Sequence, residues 1–170
     1  MRKIERWLGL IDNLNEWVGR IVFPLILFVM GVIVLEVVLR YFFRNPTIWA
    51  HETSFMIFGA YWMLGGGYAL RHRALVNMDV VYKRFSPRGR AILDLVSSPL
   101  FFLFCGLLLW YGWQMFSKSL QVHEFSESYW APPVYPLKLT IPIGAFLILL
   151  QGAVHFIRDL IIAITGREAA

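Results

Sequence analysis

The chain has 170 residues, of which 58% are hydrophobic and only 16% are charged, and its net charge at pH 7 is +5. A soluble domain of this length cannot bury so many hydrophobic residues in one core, so the composition favours a protein whose solvent is a lipid bilayer. The positive charge does not indicate nucleic-acid binding, because the basic residues cluster at the ends of apolar segments, as is typical of membrane proteins.

Four apolar runs each approach the ~20 residues that a helix needs to cross the hydrocarbon core of a bilayer. Apolar and polar residues do not alternate in these runs, which excludes a transmembrane barrel. The sequence therefore predicts an all-α fold, an integral membrane bundle of four transmembrane helices that forms a single membrane domain over 1–170. The predicted spans cover about 18–40, 51–71, 92–117 and 137–160.

The first sixteen residues have the pattern of an amphipathic helix. Apolar residues recur at spacings of three and four, while acidic and basic residues fill the other positions. Trp7 and Trp17 are the kind of residue that anchors a helix at a membrane interface. We predict an N-terminal interfacial amphipathic helix over 1–16, and the same pattern also fits a simple extension of the first span.

The first span ends with two charged residues, Glu36 and Arg40, four positions apart. A glutamate that precedes a basic residue at this spacing is in the favourable order for an ion pair on a helix. We therefore expect a local ion pair or a contact with a partner protein. A role for Glu36 in carrying a proton or an ion is the alternative, since ionisable residues within spans are often functional.

The second span begins near Trp49, at interface level, and Glu52, whose carboxylate suits the positive end of a helix dipole. Glu52 is expected to be a helix-start acid or to form a salt bridge with another subunit. Gly59 and Gly66 lie seven residues apart on one face, which predicts a seam where helix backbones approach closely. The three consecutive glycines from Gly65 are not a phosphate loop, because they lack the Lys-Ser/Thr of that motif.

The loops contain the remaining polar features. Arg71 closes the second span, and a basic, amphipathic loop over 72–90 follows. A Pro-rich loop over 118–136 contains Trp130 and is expected to be stiff, extended and close to the membrane surface. Gln151 is the one polar side chain in the middle of the fourth span, and its expected role is a hydrogen bond between helices.

The orientation follows from the basic residues. Most of the sixteen Lys and Arg residues lie near the termini or between the second and third spans. The positive-inside rule then places both termini and the 72–90 loop in the cytoplasm, and the 118–136 loop in the periplasm.

The sequence gives no indication of an enzyme. Cys105 is a single cysteine in an apolar run, so thiol redox chemistry and a cysteine metal site are not expected. His51, His72 and His123 fall at span ends or in loops and only His155 lies within a span, so a pair of haem-ligating histidines is hard to build. We expect no catalytic, cofactor-binding, metal-binding or substrate-binding residues.

Several motifs, in order, resemble those of the small membrane subunit of tripartite ATP-independent periplasmic (TRAP) transporters, the DctQ family. The resemblance covers Arg40 to Asp159. One position departs from it, because family members often have a histidine where this chain has Leu75. The matching motifs are Arg40-Tyr41, Trp49, Glu52, Ala69-Leu70-Arg71, Val76-x-x-Asp79-Val80, Ser86-Pro87-Arg88, Trp130-Ala-Pro-Pro, Pro136-Leu-Lys138, Ile141-Pro-Ile-Gly144 and Leu150-Gln151-Gly152.

The resemblance implies a non-enzymatic scaffold in the bacterial inner membrane. Its partners would be a large membrane subunit, which binds the substrate and the sodium ions, and a periplasmic solute-binding protein that delivers organic acids or related solutes for symport. A membrane anchor subunit of a redox complex is the alternative function, and a small oligomeric channel is a third. We expect subunit-interface or structural roles for Glu36, Arg40, Trp49, Glu52, Gly59, Gly66, Arg71, Asp79, Trp130 and Gln151.

Overall fold

The computed structural model describes residues 2–72 and 87–165. Over these residues the chain is helical, and its one β contact is an isolated antiparallel bridge between Phe125 and Pro133. The predicted all-α fold is confirmed. The four helices are α1 (Arg2–Tyr41), α2 (Ala50–Arg71), α3 (Pro87–Gln121) and α4 (Tyr135–Thr165).

Three of these helices are long and apolar enough to cross a membrane. The qualifying segments are Glu5–Tyr41 of α1, Gly89–Gln121 of α3 and Tyr135–Ile164 of α4. The remaining helix, α2, has 22 residues and does not qualify as a span by the same test of length and composition. The chain therefore has the helices of a multi-pass membrane protein, and the fourth span stays a prediction.

The helices are arranged around α4. It packs against α3 on one side and against α2 on another, while α1 packs mainly on α2 and touches α4 as well. The first residues of α1 lie near the last turns of α2 and α4, and we call this end of the bundle the polar end. The opposite end carries the connections 42–49 and 122–134, and we call it the loop end.

The N-terminal residues differ from the predicted interfacial helix. Residues 2–41 form one helix without a break, which corresponds to the expected alternative of an extended first span. The direction of its polar face also differs from the prediction, because this face is turned towards the other helices and not towards water. Asp12 and Asn15 are buried against the other helices, whereas Trp7 and Trp17 are exposed, because the polar side chains find their partners on α2 and α4 rather than in water.

A seam of close contacts joins α2 to α4. A Cβ atom added at Gly144 would lie 2.3 Å from the backbone oxygen of Met63, so the two backbones approach as closely as a glycine permits. On α2, a Cβ at Gly66 would lie 2.6 Å from Ile148, and one at Gly59 would lie 3.5 Å from Leu137. The contact positions rise together along both helices, so α2 and α4 run parallel. Lipid supplies no hydrophobic drive for helix association, and small residues allow van der Waals packing to hold such a seam.

The loop between α3 and α4 is folded back rather than extended as its proline content suggests. The amide of Ser126 donates to the carbonyl of Pro132 at 2.9 Å, and the amide of Val134 donates to the carbonyl of Glu124 at 3.0 Å. Ala131 has a φ of 46°, in the left-handed region, where a type of residue other than glycine is uncommon. This backbone turn brings the two arms of the loop together.

The close contact at the seam predicts that adding one methyl group lowers the stability of the bundle. Replacing Gly144 by Ala would place a methyl group against the backbone of Met63, so α2 and α4 must separate, at a cost of about 1–3 kcal/mol in the free energy of unfolding. Gly106 on α3 is the matched control, because a Cβ there meets nothing within 4 Å. Thermal unfolding in detergent should show a lower midpoint for Gly144→Ala and an unchanged or higher one for Gly106→Ala. Equal midpoints would contradict the seam.

Candidate functional site

The polar end of the bundle holds a connected group of polar side chains from three helices, which we call the polar network. α1 supplies three residues on the face turned towards the bundle. The end of α2 supplies its last residue and the C-cap residue that follows it, and α4 supplies two residues seven positions apart. These spacings of three, four and seven keep each contribution on one helical face. The members of the polar network are Asp12, Asn15, Glu16, Arg71, His72, Gln151 and Arg158.

Gln151 is the centre of the polar network and is completely buried. Its amide nitrogen donates to Oδ1 of Asp12 at 2.8 Å, and its amide oxygen accepts from Nδ2 of Asn15 at 2.9 Å. An ionised carboxylate only accepts hydrogen bonds, so Asp12 determines which end of the Gln151 amide faces it. Gln151 in turn determines the orientation of Asn15, which is 1% exposed.

Two ion pairs surround this buried chain of amides. Arg158 of α4 donates to Oδ2 of Asp12 at 2.5 Å. Arg71 of α2 donates to the carboxylate of Glu16 at 2.8 Å and to the backbone oxygen of Asp12 at 2.6 Å, while Nε2 of His72 lies 3.0 Å from Glu16. Asp12 and Glu16, the two acidic members of the polar network, therefore each have a basic partner from another helix, and this pairing compensates the charge of the buried Asp12.

Gly67 provides the space that Asn15 needs. A Cβ atom at Gly67 would lie 2.1 Å from Oδ1 of Asn15 and 3.3 Å from Leu147. That oxygen has no hydrogen-bond partner among the described residues. Any side chain at position 67 would collide with Asn15. Within the run of three glycines, Gly67 therefore makes room for α1, and Gly66 makes room for α4.

The polar network can hold helices together, and its carboxylates already accept hydrogen bonds from side chains of this chain. The two oxygens of Asp12 each accept a hydrogen bond, and Glu16 accepts from Arg71 as well as from Arg20 at 3.2 Å. Over residues 2–72 and 87–165, His, Cys, Asp and Glu form no group of three that could hold a metal ion. The arrangement is that of hydrogen bonds and ion pairs that hold three helices together.

A second polar cluster lies at the loop end, around Glu36. Arg40 donates to Oε1 of Glu36 at 2.7 Å, so the expected local ion pair is present. The other carboxylate oxygen accepts from the backbone amide of Thr47 at 3.0 Å and from the Thr47 hydroxyl. Glu36 is only 8% exposed. Its hydrogen bonds to Thr47 link α1 to the connection between α1 and α2.

The remaining predicted residues of the loop end lie on α2 and in the 122–134 connection. Glu52 accepts a hydrogen bond from the hydroxyl of Ser128, so it joins the start of α2 to the folded-back loop of its own chain. Trp49 is the N-cap residue of α2 and makes no side-chain cap hydrogen bond. Trp130 is 42% exposed in the loop.

Lys138 and Glu124 form an ion pair at the base of the same loop. The ammonium group of Lys138 holds the pKa of Glu124 below its ordinary value. The backbone oxygen of Glu124 also accepts from Val134. The pair therefore closes the loop where α3 ends and α4 begins.

The structure distributes the predicted residues over distinct places. Arg71 and Gln151 belong to the polar network, and Gly59 and Gly66 face α4 of the same chain. Asp79 lies outside the described residues. Sequence reasoning missed the roles of Asp12, Asn15 and Glu16. It placed the two acidic residues on the polar side of an interfacial helix and singled out no role for Asn15. The available signal was the pair Gln151 and Arg158, which mark a polar face on α4 that needs partners.

The fold and these sites define a small, helical, multi-pass membrane protein whose polar side chains connect its own helices. The sequence matches the family described as "Tripartite ATP-independent periplasmic transporters, DctQ component" over residues 29–161, and the chain belongs to this family. The predicted family is confirmed.

A larger relative shows a weaker similarity. The chain is 25% identical over 109 residues to the sialic acid TRAP transporter permease protein SiaT of Haemophilus influenzae (strain 86-028NP). The matched region is 64% of this chain and 17% of that relative, so the chain corresponds to about one sixth of the relative's length.

Replacing Gln151 by Leu should destabilise the bundle. The substitution removes the interhelical acceptor of Asn15 and one donor to Asp12, and each buried group that loses its partner costs about 1–3 kcal/mol. Gln114 is the matched control, because it is exposed on α3. Thermal unfolding in detergent should show a clear loss of stability for Gln151→Leu and little change for Gln114→Leu. The same small change in both variants would contradict the role of the polar network.

The ion pair of Glu124 predicts a pH dependence. A lowered pKa in the folded chain means that the pair stabilises the fold above the ordinary glutamate pKa, and that this stabilisation is lost as the pH falls through the lowered value. The difference in unfolding midpoint between the wild type and Glu124→Gln should therefore shrink on acidification. Glu127→Gln is the control, because Glu127 lies in the same loop, is exposed and forms no ion pair among the described residues. A midpoint difference independent of pH would count against the pair.

Proposed function

We propose that this chain is the small membrane subunit of a TRAP-type secondary transporter. In this proposal it is a fixed scaffold for a larger membrane subunit, which carries the substrate and sodium sites. A periplasmic binding protein delivers the solute. The family match over residues 29–161 is the observation that carries the proposal.

The side-chain contacts support a scaffold rather than a carrier. The acidic residues of the polar network are paired with arginines or amides, and Glu36 is occupied by Arg40 and Thr47. A carrier of protons or ions needs acidic groups that change partners, and these are held by several contacts each. A rigid unit of this kind suits a component that stays still while a partner moves.

The proposed topology has four spans. α2 lies between α1 and α4 and runs parallel to α4, as the second and fourth helices of an alternating bundle must. The polar end, which contains the N-terminus and the last turns of α2 and α4, is placed in the cytoplasm by the positive-inside rule. The loop end then faces the periplasm of a bacterium, and the membrane is the inner membrane.

The proposed substrate class is organic acids and related solutes. The relative of known name is a sialic acid permease, and sialic acid is an organic acid. The substrate and ion sites are assigned to the larger subunit, since that relative is about six times as long as the matched region. The alternative function, anchoring a redox complex, receives no support from the family match.

Reconstitution tests the proposal directly. The chain, its large membrane subunit and its binding protein should together give sodium-dependent uptake of an organic acid into liposomes. Omitting this chain should abolish or strongly reduce uptake, and this chain alone should give none. Uptake by the isolated chain, or full uptake without it, would refute the scaffold role.

A further inference from the structure

The sequence of α2 suits a bilayer less well than the sequences of the other three helices. Each of those contains a stretch that is long and apolar enough to cross a membrane, and α2 contains none by the same test. The proposed topology nevertheless makes α2 the second of four spans. A helix of marginal apolarity spans a bilayer when its polar groups find partners, because each unpaired polar group is costly in hydrocarbon.

The basic end of α2 has its partner on α1. Arg71, the last residue of α2, donates to the carboxylate of Glu16 at 2.8 Å and to the backbone oxygen of Asp12 at 2.6 Å. Only 25% of the Arg71 side chain and 21% of the Glu16 side chain are exposed. A guanidinium group does not lose its charge in a protein, so burial to this degree requires an anion beside it. α1 supplies that anion.

α1 and α2 also approach each other closely beside this ion pair. Gly67 of α2 leaves room for the amide group of Asn15, and Gly19 of α1 leaves room for the ring of Tyr68. An added Cβ atom at either glycine would collide with the side chain opposite. Each helix therefore accommodates a side chain of the other, and van der Waals packing can hold the two together in lipid.

The other end of α2 is also linked to α1. Glu36 accepts hydrogen bonds from the backbone amide of Thr47 at 3.0 Å and from the Thr47 hydroxyl group, and Thr47 lies in the connection that leads into α2. The contacts at both ends of α2 thus involve only residues 12–72. They can form as soon as α1 and α2 have been synthesised.

α4 meets α2 in a different way. The seam packs Gly144 against the backbone of Met63, and Nε2 of His155 lies 3.1 Å from the backbone oxygen of Leu70. Neither contact compensates the charge of Arg71. The chain is synthesised from its N-terminus, so α4 is absent when α2 leaves the ribosome, whereas α1 is already present.

We infer that α1 is the insertion partner of α2. The carboxylate of Glu16 pairs with Arg71 as α2 leaves the ribosome, and the two helices enter the bilayer as a hairpin whose following loop stays in the cytoplasm. Without this pairing, a share of the chains fails to place both helices across the membrane. The inference rests on the four-span topology of the proposed function, and it gives the first helix a role in assembly besides its place in the finished bundle.

The topology of the complete chain tests the inference. Asn45→Cys and Ser86→Cys place a reporter before and after α2, each in a Cys105→Ala background and expressed without the larger subunit. A membrane-impermeant maleimide added from the periplasmic side should label the chain with Asn45→Cys and leave the chain with Ser86→Cys unlabelled. Glu16→Ala should raise the fraction of wrongly labelled chains about tenfold, because it removes a hydrogen bond between charged groups.

Two further variants serve as controls. Glu5→Ala removes the same charge from the same helix, and Glu5 is exposed and forms no ion pair among the described residues, so it should keep the wild-type labelling. Gln151→Leu removes the contacts of α4 with Asp12 and Asn15, and it should keep the wild-type labelling even though it destabilises the bundle. Wrong labelling with Gln151→Leu would make α4 the partner of α2 and overturn the inference.

A rescue experiment separates insertion from a general loss of folding. Gly65→Leu makes α2 more apolar at a position where an added Cβ atom meets nothing within 4 Å. Combined with Glu16→Ala, it should restore the wild-type labelling, because a more apolar α2 crosses the bilayer without a partner. Gly106→Leu on α3, a position that is equally open, should not restore it.

The remaining outcomes would each overturn a defined part of the argument. Wild-type labelling with Glu16→Ala would mean that the basic residues after α2 determine its topology alone. Wrong labelling that Gly65→Leu does not correct would assign Glu16 a structural role only. Labelling of the chain with Ser86→Cys in the absence of any α1 variant would overturn the proposed four-span topology together with the inference.

Discussion

The structure depends on the constraint that a buried polar group in a membrane bundle must find its partner inside the protein. Asp12 illustrates how much one such group determines. Its carboxylate fixes the orientation of Gln151, which fixes Asn15, and Arg158 neutralises the charge. A shift of α1 by one turn along α4 would break all three contacts together, so the polar network sets a single register between helices that are otherwise held by weak apolar contacts.

The second consequence of this constraint concerns α2, which is held from two sides. On one side Gly67 admits Asn15 of α1, and on another Gly66 admits Ile148 of α4. These two glycines fix α2 between α1 and α4.

The sequence predicts well what depends on local patterns. The apolar runs indicated the helices, and the spacing of Glu36 and Arg40 indicated their ion pair, because both are decided within a few residues. The polar network was not predictable in this way, since Asp12 and Arg158 are 146 residues apart. A helix with one polar face looks the same whether that face meets water or other helices. The folded-back loop was missed because its left-handed turn at Ala131 leaves no trace in composition.

The distance along the chain between Asp12 and its partners also bears on synthesis. α1 leaves the ribosome first and α4 last, so Asp12 and Asn15 must wait for Gln151 and Arg158 while two further helices are made. The polar network can therefore close only after α4 has joined the bundle, whereas the ion pair of Glu36 and Arg40 can form within α1 as soon as that helix is made.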